Sequence, residues 1–201
     1  MRYLLLLLVV LPFCSLKAQD RMLLMNCKTI DSVKVVDISA NTVTYLRQGS
    51  LNEHKIYREN IFAITYKDGK EKVLYMPAPE DNDLDIEQMR MFINGTRKSK
   101  VSYHNYSSYL IGFAAGIAGP VFAKSTGILS LAALPPATGI FLASLGSPKM
   151  SNLSYIDKKY LNNEEYMMGF QRKARAKKIR NAFFGSLVGV AAMSVYMISQ
   201  N

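Results

Sequence analysis

Apolar and polar residues alternate through the first half of the chain in the manner of short β-strands. The alternation is clear in VKVVDIS and TVTYLR, which a turn at residues 39–41 separates, and it resumes in HKIYRENIFAITY. Lys-Asp-Gly-Lys at residues 67–70 is typical of a hairpin, because Asp-Gly suits a two-residue turn. Residues 20–76 are therefore predicted to form a small antiparallel β meander or a partly closed barrel, the β part of an α+β fold.

The pattern becomes helical after a linker that is rich in proline and acidic residues. Asp85 suits the N-cap of a helix over residues 86–100, and the basic residues near the end of that segment complement the helix dipole. We assign residues 77–107 to an acidic linker and an amphipathic helix. We expect Gly95 to be a point of interruption, and the apolar face of the helix to pack on the β domain.

Three long stretches without charged residues follow. They are residues 101–123, 125–148 and 182–198. A helix of seventeen residues is about 25 Å long, slightly less than the hydrocarbon core of about 30 Å. Pro120 and the Pro135-Pro136 pair are expected to break or kink a helix. Residues 108–148 are therefore predicted to form an apolar helical hairpin, which is either re-entrant or made of two crossings.

The last apolar run is predicted to end a helix over residues 163–200 that starts in polar sequence. Asn163, followed by Glu164 and Glu165, has the features of a helix start. Six basic residues, here called the basic collar, stand directly before the apolar run: Arg172, Lys173, Arg175, Lys177, Lys178 and Arg180. We interpret the collar as a binding site for anionic lipid headgroups, and the alternative is a charged face that only contacts water.

The distribution of charge points to the same partner. Residues 20–96 carry 12 acidic and 10 basic residues, whereas residues 97–201 carry 13 basic and 3 acidic ones. The excess positive charge thus accompanies the apolar stretches. A strongly basic chain usually binds nucleic acid or anionic lipid. We predict anionic membrane lipid and no nucleic acid, because the chain also begins with an export signal.

Residues 1–18 have the features of a secretory signal peptide. They contain Arg2, an apolar stretch that is short for a membrane span, and Leu-Lys-Ala before the expected cut. An uncleaved anchor is the alternative. Cleavage would leave Cys27 as the single cysteine, so we expect no intramolecular disulfide and a buried thiol. The predicted location is the membrane of the cell envelope, reached through a cleaved signal peptide.

Glycines recur at three- or four-residue spacing in two of the apolar stretches. They are Gly112, Gly116, Gly119, Gly185 and Gly189. Small residues at this spacing let helices approach closely in lipid, where packing drives helix association. Helix packing is the predicted role, and a pore is the alternative.

Residues that would carry chemistry are few. His54 and His104 are the only histidines, and neither stands at the spacing of a metal site. The carboxylates of residues 81–85 lack the glycine and the distal glutamate of a calcium-binding loop. No nucleophile motif or phosphate-binding loop occurs. Neither a metal nor a cofactor is predicted, and the chain is not expected to be an enzyme.

Two stretches resemble a recurring, uncharacterised family of exported Bacteroidota membrane proteins. The first is VKVVDISANTVTYLR with IYRENIFAITYKDGKE, and the second is EEYMMGFQRKARAKKIRNAFFGSLVG. They are similar to the valine-rich strand, the Tyr-Leu-Arg strand and the hairpin of the family's β domain, and to its Tyr-x-x-Gly-aromatic, Lys/Arg and glycine-rich C-terminal region. The resemblance implies an envelope location, and it implies no activity, substrate or site residue.

These features predict a membrane-anchored interaction or scaffold protein of the cell envelope. Besides lipid, the expected partner is a second copy of the chain or another envelope protein. The alternative is an oligomeric, membrane-active or pore-type protein built on the glycine-faced helices.

The predicted topology contains one conflict. An exported chain with a spanning hairpin would leave its basic residues outside, whereas Lys and Arg tend to remain in the cytoplasm. Three arrangements would remove the conflict: a hairpin that does not span, an odd number of crossings before residue 149, or a membrane other than the inner one.

Overall fold

The computed structural model describes residues 19–78, 83–145 and 158–200, so the predicted signal peptide and residues 79–82 of the linker lie outside the described residues. The chain divides into two compact units, a β unit up to Asp83 and a helical unit from Leu84. A sheet followed by helices, the last of them long and apolar, confirms the predicted α+β class.

Six antiparallel strands form the sheet of the β unit. They are β1 (Asp20–Leu24), β2 (Thr29–Ile38), β3 (Thr42–Arg47), β4 (Glu53–Tyr57), β5 (Ile61–Thr65) and β6 (Glu71–Val73), in the order β4-β3-β2-β1-β5-β6. The predicted strands are present, and β1, which alternation alone did not single out, lies between β2 and β5. Among the described strands, β4 and β6 are the two open edges.

The link between β4 and β5 shows that the sheet is curled. Only the 3-10 turn Arg58–Asn60 separates these strands along the chain, although three other strands lie between them in the sheet. In a flat sheet they would be about 19 Å apart, at about 4.8 Å per strand. A three-residue link spans at most about 14 Å. The sheet therefore bends β4 back toward β5, as in a partly closed barrel that remains open.

The hairpin predicted at residues 67–70 is present, but the two-residue turn is wrong. The backbone N–H of Tyr66 donates to the carbonyl of Lys70 at 2.8 Å, and this pair closes a loop of three residues, 67–69. Gly69 adopts the left-handed region with φ +82°, which glycine tolerates without steric cost. The carboxylate of Asp68 accepts a 3.0 Å hydrogen bond from the Lys70 N–H. This is the three-residue hairpin with glycine at the left-handed position.

One carboxylate connects three parts of the β unit. Asp20, the first residue of β1, accepts 3.0 Å hydrogen bonds from the backbone N–H groups of Val35 in β2 and Lys67 in the hairpin loop. The core of the β unit is formed by buried apolar side chains. They belong to β1, β2, β3, β5 and the residue that follows β6: Met22, Leu24, Val33, Val43, Tyr45, Ile61, Ile64 and Leu74. Cys27 is buried, as predicted.

Four α-helices make up the described part of the helical unit. They are α1 (Ile86–Ser102), α2 (Ser107–Thr126), α3 (Leu134–Leu145) and α4 (Glu164–Ser199). The predicted caps are confirmed: the Asp85 carboxylate accepts from the Gln88 N–H at 2.8 Å, and the Asn163 side chain accepts from the Tyr166 N–H at 2.7 Å. Both caps satisfy N–H groups that a helix start leaves unpaired.

α1 differs from its prediction in two respects. It continues through Gly95 without interruption. Gly95 lies where α1 meets α4, and glycine is needed there since an added Cβ would overlap the carbonyl of Tyr166. Its buried face, expected to lie on the β domain, packs against α4. There Thr96 donates a 3.1 Å hydrogen bond to the carbonyl of Gly169, and Gln88 donates a 3.0 Å bond to Glu165.

The prolines do not break the apolar helices where they were expected to. α2 continues through Pro120 to Thr126 and is followed by Gly127, whose φ of +69° is the left-handed conformation common at helix C-termini. Pro135 and Pro136 lie in the first turn of α3, where a missing N–H removes no helical hydrogen bond. The break in the hairpin is therefore at residues 127–133, which include the 3-10 turn Leu129–Ala133.

The contacts define the direction of each helix relative to α4. Gly169 meets Phe92, Lys177 meets Ser99, Ala182 meets Gly112 and Ser186 meets Gly116, so residue numbers rise together on both sides. α4 therefore runs parallel to α1 along its polar half and parallel to α2 along its apolar half. α3 runs back beside α2, since Gly139 meets Ala115 and Pro136 meets Gly119.

Candidate membrane interface

The apolar half of the helical unit has its small residues inside and its large residues outside. The buried positions of α2, α3 and residues 182–199 of α4 are Ser108, Gly112, Gly116, Gly119, Ala123, Gly139, Ala143, Ala182, Gly185, Ser186 and Gly189. The exposed positions include Leu110, Ile111, Phe122, Phe141, Leu142, Phe183, Phe184, Leu187 and Val188. A water-soluble bundle buries its large apolar side chains, so this packing is reversed. It is the arrangement expected of helices in lipid.

All five glycines singled out in the sequence lie at helix contacts. At each, an added Cβ would overlap a backbone carbonyl oxygen: that of Ala182 for Gly112, Ser186 for Gly116, Ala132 for Gly119, Tyr109 for Gly185 and Phe113 for Gly189. Gly112 and Gly116 therefore face α4, and Gly185 and Gly189 face α2. The sequence did not single out Gly169, which makes the same kind of contact with Phe92 between α1 and α4.

One described helix, α4, is long and apolar enough to cross a membrane. Only 22% of its most apolar window is buried inside the fold, unlike the central helix of a soluble protein. α1 and α2 pass the same test only as a pair, and they are bent by 66° where they meet. The segment Leu129–Leu145 is apolar but shorter.

Residues 103–106, here called the elbow, join α1 to α2 beside the middle of α4. Asn105 holds both neighbours: its side-chain oxygen accepts from the Ser108 N–H at 2.8 Å, and its carbonyl accepts from the Asn181 side chain at 2.8 Å. The first contact caps α2, whose first N–H groups have no partner inside the helix. The elbow thus lies level with the boundary between the polar and apolar halves of α4.

Lys177 of the collar points into the elbow. Its ammonium group donates to the carbonyls of Ser99, Lys100 and Tyr103 at 3.1, 2.6 and 2.9 Å. Carbonyls at a helix C-terminus lack helical partners and carry partial negative charge, so a cation is stabilised there. Lys177 is therefore the C-terminal cap of α1, and its donors are occupied by the protein rather than available to a lipid.

Four cations meet at the elbow, and we call them the elbow cluster: Lys100, Lys173, Lys177 and Arg180. Lys100 belongs to the last turn of α1 and was not part of the predicted collar. Burial lowers the pKa of the Lys177 ammonium, and the positive charges of Arg180, Lys173 and Lys100 lower it further. Lys100 and Arg180 are exposed, so at least two members of the cluster are accessible from outside the protein.

The other collar residues do not join this cluster. Arg172 lies over the ring of Phe92, 5.9 Å from its centre, and with Arg175 it lines a groove along the polar half of α4. Burial and the neighbouring Arg175 lower the pKa of Lys178. The collar is therefore not one surface, since its members point in different directions around the helix.

The histidines of the described residues are placed as isolated side chains. His54 stacks on Tyr45 with ring centres 5.5 Å apart, and a ring nitrogen of His104 lies 3.1 Å from the carbonyl of Ser102. Within residues 19–78, 83–145 and 158–200, no group of three or more His, Cys, Asp or Glu could hold a metal ion.

A second candidate surface lies on the β unit. It is a groove of about 620 Å³, and its lining includes Met25, Asn41, Tyr57, Arg58 and Met76. Tyr57 and Met76 are 64% and 72% exposed, so two large side chains are available at this groove.

No protein-family model matches the chain, and neither the curated proteins nor the solved structures include one that is similar to it.

Proposed function

We propose that this protein is a membrane-anchored interaction or scaffold protein of the cell envelope. In this proposal the helical unit lies in the bilayer and the β unit recognises a partner. The observation that carries the proposal is the reversed packing of α2, α3 and the apolar half of α4, which have glycine and alanine inside and leucine and phenylalanine outside.

The elbow fits the headgroup level of the bilayer. Tyr106 and Tyr109 stand at the start of α2, beside the cationic elbow cluster, and Tyr196 stands near the end of α4. Tyrosine is enriched at both interfaces of membrane proteins. The sixteen residues from Asn181 to Tyr196 span about 24 Å, and all of residues 182–199 span about 27 Å. Both lengths suit a thin hydrocarbon core of somewhat less than 30 Å.

The helix directions are compatible with three passes, of which that of α4 has the length and composition of a span. α2 and the apolar half of α4 would leave the elbow side together, and α3 would return to it. Such a hairpin makes two crossings before residue 149, so of the three ways to remove the charge conflict it leaves a membrane other than the inner one.

Recognition by the β unit is supported by an open strand edge and by its groove. Among the described strands β4 is an open edge, and an added strand from a partner would pair with such an edge. The pore alternative receives no such support. Its motivating glycines contact other helices of the same chain, so they are not free to join several copies.

An aspartate placed on the outer face tests the proposal. Leu187 is 50% exposed on the apolar half of α4, and a Leu187→Asp change on a water-exposed face would alter stability by no more than about 0.5 kcal/mol. At the centre of a spanning helix the same change costs about 3 kcal/mol. We expect the variant to be lost from the carbonate-resistant membrane fraction, in which the unmodified chain is retained.

Met168→Asp is the matched control, because Met168 is 45% exposed on the polar half of the same helix. We expect this variant to be retained in membranes. Retention of both variants, or release of the unmodified chain by carbonate, would contradict a membrane position for α4.

A further inference from the structure

We infer that the elbow cluster is a binding site for the phosphate group of anionic membrane lipids. The inference rests on the proposed membrane position of the helical unit and assigns its lipid contact to particular residues. It replaces the collar of six residues on one helix with four cations contributed by two helices: Lys100, Lys173, Lys177 and Arg180.

The geometry of the elbow brings these charges together. The Lys177 ammonium lies 2.6 Å from the carbonyl of Lys100, so the end of α1 and the middle of α4 are in direct contact. Lys173 and Arg180 precede and follow Lys177 by four and three residues, which places all three on one face of α4. A single anion at the elbow could therefore meet cations from both helices.

Within the part of the chain that the structure describes, the cluster has no acidic counterpart. Among the described residues, no ion pair joins any of its four members to a carboxylate, whereas Arg90 on the same unit pairs with Glu87. Lys177 is held by three carbonyls, so its donors are used while its charge is not neutralised. Like charges that lie near one another repel. An external anion would reduce that repulsion.

The surroundings favour a lipid phosphate over a free one. Immediately beyond the cluster, the chain presents exposed Tyr106 and then the apolar side chains Leu110 and Ile111. A phospholipid bound there would place its phosphate at the cations and its acyl chains along α2. Each Lys or Arg near the membrane surface adds to the binding free energy between the protein and anionic lipid.

The experiment measures the thermal midpoint of the full chain in uncharged detergent at low salt. Phosphatidylglycerol, phosphatidylcholine or inorganic phosphate is added at equal concentration. A ligand that binds only the folded state raises the midpoint. We expect phosphatidylglycerol to raise it, and phosphatidylcholine and free phosphate to have little effect. The shift should shrink in high salt, because the screening length falls from about 10 Å at 0.1 M to about 3 Å at 1 M.

Two double variants locate the site. Lys100→Gln with Arg180→Gln should lose at least half of the shift caused by phosphatidylglycerol. Arg172→Gln with Arg175→Gln removes the same charge from the separate groove of α4 and should keep the shift. The exchange Lys100→Arg with Arg180→Lys retains both charges and should also keep it, which separates loss of charge from disturbed folding.

Three outcomes would overturn the inference. Equal losses in the two Gln variants would show that charge acts diffusely. An equal shift with phosphatidylcholine would show that the acyl chains alone bind. A full shift with inorganic phosphate would show a site for soluble anions. Carbonate extraction of the same variants reports the membrane anchor independently, so the anchor can stand while the headgroup site fails.

Discussion

At the scale of single residues, Lys177 shows how one side chain can join two helices. Replacing it by methionine keeps most of the aliphatic stem and removes the hydrogen bonds to Ser99, Lys100 and Tyr103. Hydrogen bonds from a charged group contribute about 1.5–3 kcal/mol, so we expect Lys177→Met to destabilise the helical unit by about 2 kcal/mol. Thermal unfolding in detergent, followed by circular dichroism, measures the change.

Arg175→Met is the control for this prediction, since it removes a positive charge from an exposed position one half-turn away. A similar midpoint for Lys177→Met and Arg175→Met would mean that the three carbonyl contacts contribute nothing to stability. Lys177→Arg should fall between them, because the longer, planar guanidinium cannot reproduce the geometry of the ammonium.

Gly116 provides a second prediction at this scale. An added Cβ would overlap the carbonyl of Ser186, which is backbone and cannot turn away. We expect Gly116→Val to separate α2 from α4 and to cost about 1–3 kcal/mol or more, as overpacking does in tight cores. Ala118→Val adds volume on an exposed side of the same helix and should be tolerated. The two midpoints in detergent are compared, and equal midpoints would contradict the close contact.

The residues that sequence reasoning found and missed differ in how far away their partners are. Asp85 and Asn163 were predicted as caps because the N–H groups that they accept from belong to residues three positions ahead. The role of Lys177 was not predictable, since its three acceptors lie 74 to 78 residues away along the chain. A lysine in a basic run has no local feature that distinguishes an inward from an outward direction.

At the scale of elements, alternation predicted most strands but not how they are joined. β2 and β3 were found from their pattern, whereas β1 was not singled out, because its residues Met22, Leu23 and Leu24 are consecutive and apolar. HKIYRENIFAITY was treated as one alternating run, and the turn Arg58–Asn60 divides it into β4 and β5. The pairing of β5 with β1 is a contact between distant segments, which a local pattern does not encode.

Among the helices, the prolines were misjudged for a related reason. A proline removes one N–H and crowds the preceding turn, but neighbouring helices can compensate for that loss. Pro120 is tolerated inside α2, which packs along α4, and Pro135 is placed in a first turn. Local rules predicted the chemical effect of each proline but not its position within a helix.

The β unit gives a prediction at the same scale. Its core consists of a single cluster of eight buried residues, and no disulfide supports it within the described chain. We expect a fragment of residues 20–80 to show β-type circular dichroism with low stability, because a domain of this size buries little apolar surface. A thermal midpoint above about 80 °C would contradict this expectation, since domains of ordinary stability melt at about 45–65 °C.

At the scale of the whole molecule, α4 provides a common axis for the other helices. Its 36 residues extend about 54 Å, and α1, the elbow and α2 contact it between Glu165 and Gly189. α1 and residues 164–180 of α4 carry most of the charges of these helices. Lys124 is the only charged residue in α2 and in residues 182–199 of α4. The change from charged to apolar sequence occurs at the elbow. There α1 and α2 meet at a bend of 66°, whereas α4 continues beside them as one helix.

This arrangement predicts which parts of the helical unit share a side of the membrane. Arg97 and Glu164 lie before the elbow on α1 and α4, whereas Lys124 and Gln200 lie at the far ends of α2 and α4. Single cysteines at these four exposed positions, in a Cys27→Ser background, can be labelled in sealed vesicles by a maleimide that does not cross membranes. We expect positions 97 and 164 to react together and positions 124 and 200 to react only from the opposite side.

Each departure from that pattern identifies a different structure. If position 124 reacts with 97 and 164 while 200 does not, α2 and α3 form a re-entrant hairpin and only α4 crosses. If all four positions react together, the helices lie along the surface as amphipathic elements do, and the exposed Leu187 and Phe184 are buried only to the depth of the headgroups.

The reversed packing of α2, α3 and α4 favours crossing, because a bundle at the surface would expose one apolar side and this one exposes large apolar residues on every helix.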